Sequence, residues 1–200
     1  MVFRSRDLPP VILASASPRR AQLLRELGVE FEVLPSKADE IHSRQLTALE
    51  VSRINACRKA RSVASKHPDA LVLGADTLVF ADAALYGKPA DMAAARRMLE
   101  ELQGRAHQVV TAVCLLHLAA GRRRVFAETT AVTFRPLDAA GIRRYLAKVN
   151  PLDKAGAYAI QEEGALIIEK ISGSYSNVVG LPIERLEWEL TRWSGEAHHQ

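Results

Sequence analysis

The chain has 200 residues, 48% hydrophobic and 25% charged, with 27 basic against 23 acidic side chains. That length and apolar content suit one globular domain with a sizeable core, expected over residues 1–195 with a disordered tail at 196–200. The net charge of +4 is scattered as Arg19-Arg20, Arg96-Arg97, Arg122-Arg123-Arg124 and Arg143-Arg144; these would form a nucleic-acid footprint only by converging on one face, and a stable nucleic-acid complex is not expected.

The opening MVFRSRDLPP is too short and too polar for a secretory signal, and no apolar run reaches the ~20 residues of a membrane span. Cys57 and Cys114 lack CxxC spacing and read as reduced, buried thiols. The expectation is a cytoplasmic protein with no membrane partner.

Val11-Ile12-Leu13 reads as a short buried strand that feeds directly into a helix. Ser17 can cap a free N–H, and Pro18 suits the first helical position. The helix runs to about Leu27, with Gly28 as its C-terminal cap. Its N-terminus collects unpaired N–H groups, the hydroxyls of Ser15 and Ser17, and the guanidinium groups of Arg19 and Arg20, a combination that suits a polyphosphate. The same residues also read as a capped helix with solvated arginines.

Phe31 to Leu34 alternates as a strand ended by Pro35, residues 36–44 read as a loop, and Thr47 to about Lys66 reads as a helix. Leu71 to Phe80 is almost wholly apolar, as in a strand buried on both faces, except at Asp76 and Thr77. A buried carboxylate is costly unless paired or bound to a metal, which singles out Asp76. Its alternative reading is a turn aspartate between two shorter strands.

Tyr86-Gly87-Lys88-Pro89 reads as a loop with a restrained lysine, and Asp91 caps a helix to about Leu102. His107–Leu118 and Val125–Phe134 form a hairpin around Ala119-Ala120-Gly121. Asp138 caps a helix to about Val149. Tyr158–Gln161 and Ala165–Ile171 read as strands, Gly173–Gly180 as a loop, and Pro182 opens a last helix carrying Leu186 and Leu190. Alternating strands and helices with one hairpin give an α/β fold with a mixed sheet.

Neither the dinucleotide glycine fingerprint nor the GxxxxGK[ST] loop is present, and Gly173-Ser174-Tyr175-Ser176 does not fit a GxSxG nucleophile elbow. What remains is a phosphate-binding set, Ser15, Arg19 and Arg20, with the carboxylates Glu40 and Asp76 and with Lys59, Lys88 and Lys154 able to join. Carboxylates and cations around a phosphate are the ingredients of magnesium-assisted phosphoryl or nucleotidyl transfer. The residues alone point to a phosphate-ester or nucleotide enzyme.

Six ordered blocks then carry a resemblance: SASPRR at Ser15–Arg20, GADT at Gly74–Thr77, GKP at Gly87–Pro89, GRAH at Gly104–His107, DKAGAY at Asp153–Tyr158 and NVVGLP at Asn177–Pro182. Together they resemble the Maf family, historically called septum formation inhibitors. The resemblance implies an inosine triphosphatase-like fold: a long mixed β-sheet flanked by helices, with two lobes around a central cleft. It implies hydrolysis of a nucleoside triphosphate between the α and β phosphates, a divalent metal cation, normally Mg2+, and a homodimer.

Carried over by position, the resemblance makes Asp76 the proton acceptor and, with Glu40, a metal ligand. Ser15, Arg19 and Arg20 match the phosphate-binding turn. Lys59 and Lys88 match cationic positions, and Thr77 and Gln161 match positions tied to base choice. KAGAYAIQ at Lys154–Gln161 resembles the dTTP and UTP group, and a glutamine amide can pair with the imide edge of thymine or uracil. The chain departs from the family pattern at Leu152, Glu162 and Ser174, and at Arg53-Ile54-Asn55 in the long helix. None of these is expected to touch the chemistry directly, although Glu162 can bias base choice by charge. The alternatives are the same reaction on 7-methyl-GTP, CTP or another nucleotide, or a regulator of cell division that binds nucleotide or nucleic acid without turnover. The buried acid at Asp76 speaks against simple anion binding.

Overall fold

The computed structural model describes residues 7–43, 45–82 and 84–196. Chain order among them is β1 (Val11–Leu13), α1 (Pro18–Glu26), β2 (Phe31–Val33), α2 (Ala48–Ala64), β3 (Leu71–Ala81), β4 (Ala84–Tyr86), α3 (Met92–Leu102) and β5 (Ala106–His117). Then follow β6 (Arg122–Phe134), α4 (Ala139–Leu146), β7 (Ile168–Ser172), α5 (Tyr175–Val179) and α6 (Ile183–Glu196).

The strands make one mixed sheet in the order β2-β1-β3-β5-β6-β7, with β4 also on β3. β1 is parallel to β2 and β3, whereas β5, β6 and β7 continue antiparallel. This is the mixed α/β sheet that the sequence predicts.

β3 is the spine. One edge pairs with β5 from Leu71 to Phe80. The opposite edge changes neighbour: β1 pairs with Leu71–Leu73, and β4 pairs with Val79–Ala81. Between those partners, residues 74–78 border an opening, and β3 stays continuous through it. The turn reading of Asp76 is therefore excluded.

Side chains alternate across β3 as a strand requires. Leu71, Leu73 and Ala75 pack with Leu24, Leu186 and Trp193 beneath α1 and α6, while Val72 packs with Ala56 and Ala60 of α2. Farther along, Val79 belongs to a separate apolar group with Leu99, Tyr145 and Phe134. Asp76 and Thr77 thus lie between two packed lobes. At Gly74 a Cβ would sit 2.4 Å from Ala56 O and 2.6 Å from Ala60 N, so only glycine lets α2 approach this closely.

Local chemistry explains the helix starts. Ser17 accepts from Arg20 N ahead of Pro18, and Thr47 with Glu50 forms a reciprocal capping box. Asp91 and Asp138 cap α3 and α4.

Several expectations need correction. Tyr158–Gln161 is not a strand: Tyr145 Oη accepts from Ala159 N at 2.9 Å, which replaces a ladder bond and leaves the segment irregular. The next strand begins only at Ile168, after a 3₁₀ turn at Gly164–Leu166. The predicted loop 173–180 contains α5, capped by Ser174 and closed by Gly180 at φ 125°. Tyr86 ends a short strand, because β3 supplies it with a free edge. β6 starts at Arg122, three residues earlier than predicted, and α4 ends at Leu146 rather than Val149. Glu196, the first residue of the expected tail, ends α6; the rest of that tail lies outside the described residues, as do Arg44 of the expected loop and the first six residues.

Candidate active site

The opening beside β3 is the mouth of a cleft of about 580 Å³. All nine predicted site residues line it: Ser15, Arg19, Arg20, Glu40, Lys59, Asp76, Thr77, Lys88 and Gln161. The topology explains the convergence. The turn that follows β1 brings Ser15 to Arg20 to one side, and the loop that follows β4 brings Lys88 from the other. This is the carboxyl end of the parallel pair, where α/β sheets hold ligands.

On the α2 face, Asp76 is 3% exposed. Its Oδ1 accepts from Lys59 Nζ at 2.6 Å and its Oδ2 from Asn55 Nδ2 at 3.3 Å. Lys59 also donates to Glu40 Oε1 at 2.7 Å, so one ammonium joins two carboxylates from distant parts of the chain. Burial alone would raise the Glu40 carboxyl. The hydrogen bond and charge of Lys59, with Lys88 and His42 nearby, outweigh it and hold the group below the ordinary carboxylate range.

On the opposite face, Arg20 is held by oxygens. It donates to Gly180 O at 2.8 Å, Ser15 Oγ at 3.1 Å and Thr77 Oγ1 at 2.9 Å. These partners are uncharged, so the guanidinium remains available to an anion. Burial lowers its pKa, and the charges of Asp76 and Glu40 oppose that shift. Thr111 gives its proton to Asn177 O, so Thr77 must donate in the Thr77–Thr111 contact at 3.0 Å. Thr77 is thereby committed to supporting Arg20, and its influence on a ligand passes through that arginine.

Ser15 Oγ accepts from Ser17 N and from Arg20, which leaves its own O–H free to donate. Arg19 is engaged differently, donating to Asp153 Oδ2 at 3.0 Å. An incoming phosphate would have to replace a half-exposed carboxylate there. Lys88 has no hydrogen bond or ion pair among the described residues and lines the cleft, where its charge acts on Glu40.

The expectation that Lys154 can join the phosphate cations needs correction. Lys154 is 5% exposed. Its ammonium is tied to Asn150 O at 2.7 Å, Asp153 at 2.8 Å and Glu162 at 3.3 Å. Lys154 folds the loop instead. Glu162 pairs with that ammonium from a half-exposed position. Gln161 is exposed, and its side-chain amide has no hydrogen-bond partner among the described residues. The segment before it is anchored by Tyr145 and by Tyr158, whose hydroxyl lies 2.8 Å from His107 Nε2.

The expectation that the departures from the family pattern avoid the chemistry is also overturned, because Asn55 bonds directly to Asp76. The signal was present in the sequence: Asn55 and Lys59 are four residues apart and share a helix face. Asp153, noted only within its motif, proves to be the partner of Arg19.

Among the described residues, no group of three or more His, Cys, Asp or Glu is placed to hold a metal ion. Glu40 and Asp76 supply carboxylate oxygens of the kind a hard cation takes together with phosphate oxygens and water, and one oxygen of each is held here by Lys59 Nζ.

The sequence matches the family model for Maf-like proteins over residues 10–193. It is 48% identical over 178 residues to a dTTP/UTP pyrophosphatase of Salinibacter ruber, covering 88% of this chain and 87% of that protein. Identity to the dTTP/UTP pyrophosphatase of Moorella thermoacetica is 49%, covering 88% and 91% of the two chains. For that of Syntrophus aciditrophicus it is 46%, covering 94% of both.

Two solved structures share the fold at 16% sequence identity. The Staphylococcus aureus Ham1 protein aligns with a TM-score of 0.51 over 91% of this chain and 98% of its own. A HAM1 protein from Coxiella burnetii aligns with a TM-score of 0.50 over 92% and 100%. On the family match and these identities over most of the sequence, the chain belongs to the Maf family.

Proposed function

We propose that this protein is a nucleoside triphosphate pyrophosphatase that hydrolyses dTTP and UTP to the monophosphate and pyrophosphate. The observation that carries the reading is the convergence on one cleft of a Lys59-bridged carboxylate pair, an arginine held by neutral oxygens and the amide of the exposed Gln161. The relatives named dTTP/UTP pyrophosphatases support the choice of substrate.

In this mechanism, Arg20, Arg19, Lys88 and the Ser15 hydroxyl bind the triphosphate and neutralise charge on its oxygens. Asp76 accepts a proton from water as that water attacks the α-phosphorus. The bond from the α-phosphorus to the α–β bridging oxygen breaks, and pyrophosphate leaves with the electron pair. Gln161 offers a donor and an acceptor to the imide edge of thymine or uracil. Glu40 and Asp76 would hold a divalent cation, Mg2+ in this proposal, which supplies Lewis-acid stabilisation of phosphate charge.

The homodimer and the cytoplasmic setting belong to the same proposal, and sedimentation of the purified protein tests the dimer. No helix among the described residues is long and apolar enough to cross a membrane.

The deciding experiment measures pyrophosphate release with magnesium from dTTP, UTP, CTP, the purine triphosphates and 7-methyl-GTP. The highest kcat/KM is expected for dTTP and UTP. A purine preference overturns the pyrimidine assignment, and nucleotide binding with no turnover overturns the enzyme.

A further inference from the structure

Asn55 is 1% exposed in the middle of α2. Asparagine is a poor helix former, so its presence there calls for a local reason. Its side chain makes three hydrogen bonds. Oδ1 accepts from Ile41 N at 2.8 Å, and Nδ2 donates to Ile41 O at 3.2 Å and to Asp76 Oδ2 at 3.3 Å.

These bonds fix which way the amide faces. The Ile41 N–H can only donate, so it must meet Oδ1, and the NH₂ group is then directed at the carboxylate. A flipped amide would set two donors against each other at Ile41 and two acceptors against each other at Asp76.

We propose that Asn55 is a positioning residue that sets Asp76 and the Glu40 loop in a common register. This rests on the pyrophosphatase reading given above. Ile41 follows Glu40 directly, so the bonds to its backbone fix the loop whose carboxylate meets Lys59. The bond to Asp76 Oδ2 fixes the other carboxylate, whose Oδ1 meets the same ammonium. Asn55 and Lys59 stand one helical turn apart on α2, which Gly74 admits to backbone contact with β3. Lys59 pulls the two acids together through charge, and Asn55 orients them through geometry. Neither function is available to the aliphatic residues elsewhere on this helix face.

Two variants separate the contributions. Asn55→Asp keeps the shape and the acceptor for Ile41 N, but sets a carboxylate oxygen in place of the donor to both Asp76 Oδ2 and Ile41 O. Asn55→Leu removes all three bonds. The loss of an orienting bond is expected to lower kcat for dTTP about tenfold in both, with KM changed less than about twofold. Hydrogen exchange at the Ile41 amide should accelerate in Asn55→Leu and stay as in the wild type in Asn55→Asp.

A merely structural role would reduce kcat only in proportion to the loss of folded, nucleotide-binding protein, and that outcome overturns the assignment. So does wild-type kcat in both variants. Should Asn55→Leu fail to fold, the near-isosteric Asn55→Asp carries the test through the kcat-against-KM split. A wild-type protein inert toward every triphosphate overturns the pyrophosphatase reading instead, whereas active wild type with unaffected variants overturns the Asn55 assignment alone.

Discussion

Lys59 Nζ lies 2.6 Å from Asp76 Oδ1, joining a helix and a strand that meet because Gly74 lacks a side chain. The same ammonium holds Glu40, so two acids that would repel each other share one counter-charge. If Asp76 accepts the proton of the attacking water, Asp76→Asn preserves size and burial but removes the base. The expected loss in kcat is about 10²–10⁴-fold, with little change in nucleotide affinity measured without added magnesium. Single-turnover kinetics alongside nucleotide titration checks both halves of that statement.

The two adjacent arginines should respond differently to lysine. Arg20 uses its planar fork to reach three separate oxygens, on Gly180, Ser15 and Thr77, and a lysine cannot reproduce that geometry. Arg19 is directed at the half-exposed Asp153, so a point charge can replace it more closely. Arg20→Lys should therefore lower kcat/KM for dTTP about 10-fold to 100-fold, the cost of one to two charge-assisted bonds, with a smaller effect from Arg19→Lys. Equal losses would contradict the distinction.

Gly74→Ala places a methyl group against the α2 backbone, which has no flexible side chain there to yield. Overpacking of this kind costs about 1–3 kcal/mol, or a fall in Tm of roughly 3–10 °C. Displacing α2 also withdraws Lys59 and Asn55 from Asp76, so activity should fall more than stability. Gly87→Ala is the control: nothing lies within 4 Å of the added carbon, and Tm should be unchanged. Calorimetry with a dTTP assay on both variants tests the pair.

His107 is buried between Phe134 and Tyr158, and burial pushes its pKa down from 6.5 to about 4. Between those values the unfolded chain binds a proton that the folded one refuses. Stability is therefore lost as pH falls from 6.5 toward 4, by about 3 kcal/mol at roughly 1.4 kcal/mol per unit. His107→Gln can keep a partner for Tyr158 without titrating. Urea midpoints should show the variant gaining on the wild type as the pH drops through this window; a constant difference would contradict the assignment.

The Glu162 carboxylate is ion-paired with the buried Lys154, which fixes it on the loop. Glu162→Gly should leave the dTTP to UTP preference within about twofold of wild type, because no bond to a nucleotide is removed. Gln161→Leu should instead erode pyrimidine selectivity. Specificity constants for the two variants, measured on the same nucleotide panel, provide the comparison.

The sequence by itself determined the strand-to-helix turn at Ser15–Arg20, the buried run around Asp76 and the helix caps, because each depends on neighbours within a few residues. Apolar alternation and capping chemistry are local, and they survived intact in β1, α1 and β3. The segment Tyr158–Gln161 misled because its backbone partner is Tyr145, a side chain from another element that substitutes for a strand. The helix at Tyr175–Val179 was hidden by a polar composition that reads as loop until Ser174 caps it and Asn177 bonds Val109 and Thr130 in the sheet.

Only the tertiary structure decided which charges are free. Lys154 and Lys88 look equivalent in sequence and both line the cleft, yet the ammonium of Lys154 is tied into its loop whereas that of Lys88 has no bond among the described residues. Asn55 shares a helix face with Lys59 in the sequence, but only the packing of α2 on β3 makes Asp76 its partner. Charge and hydrogen-bonding capacity are written in residue types, but their partners come from elements tens of residues away, and the partner decides whether a group binds a ligand or holds the fold.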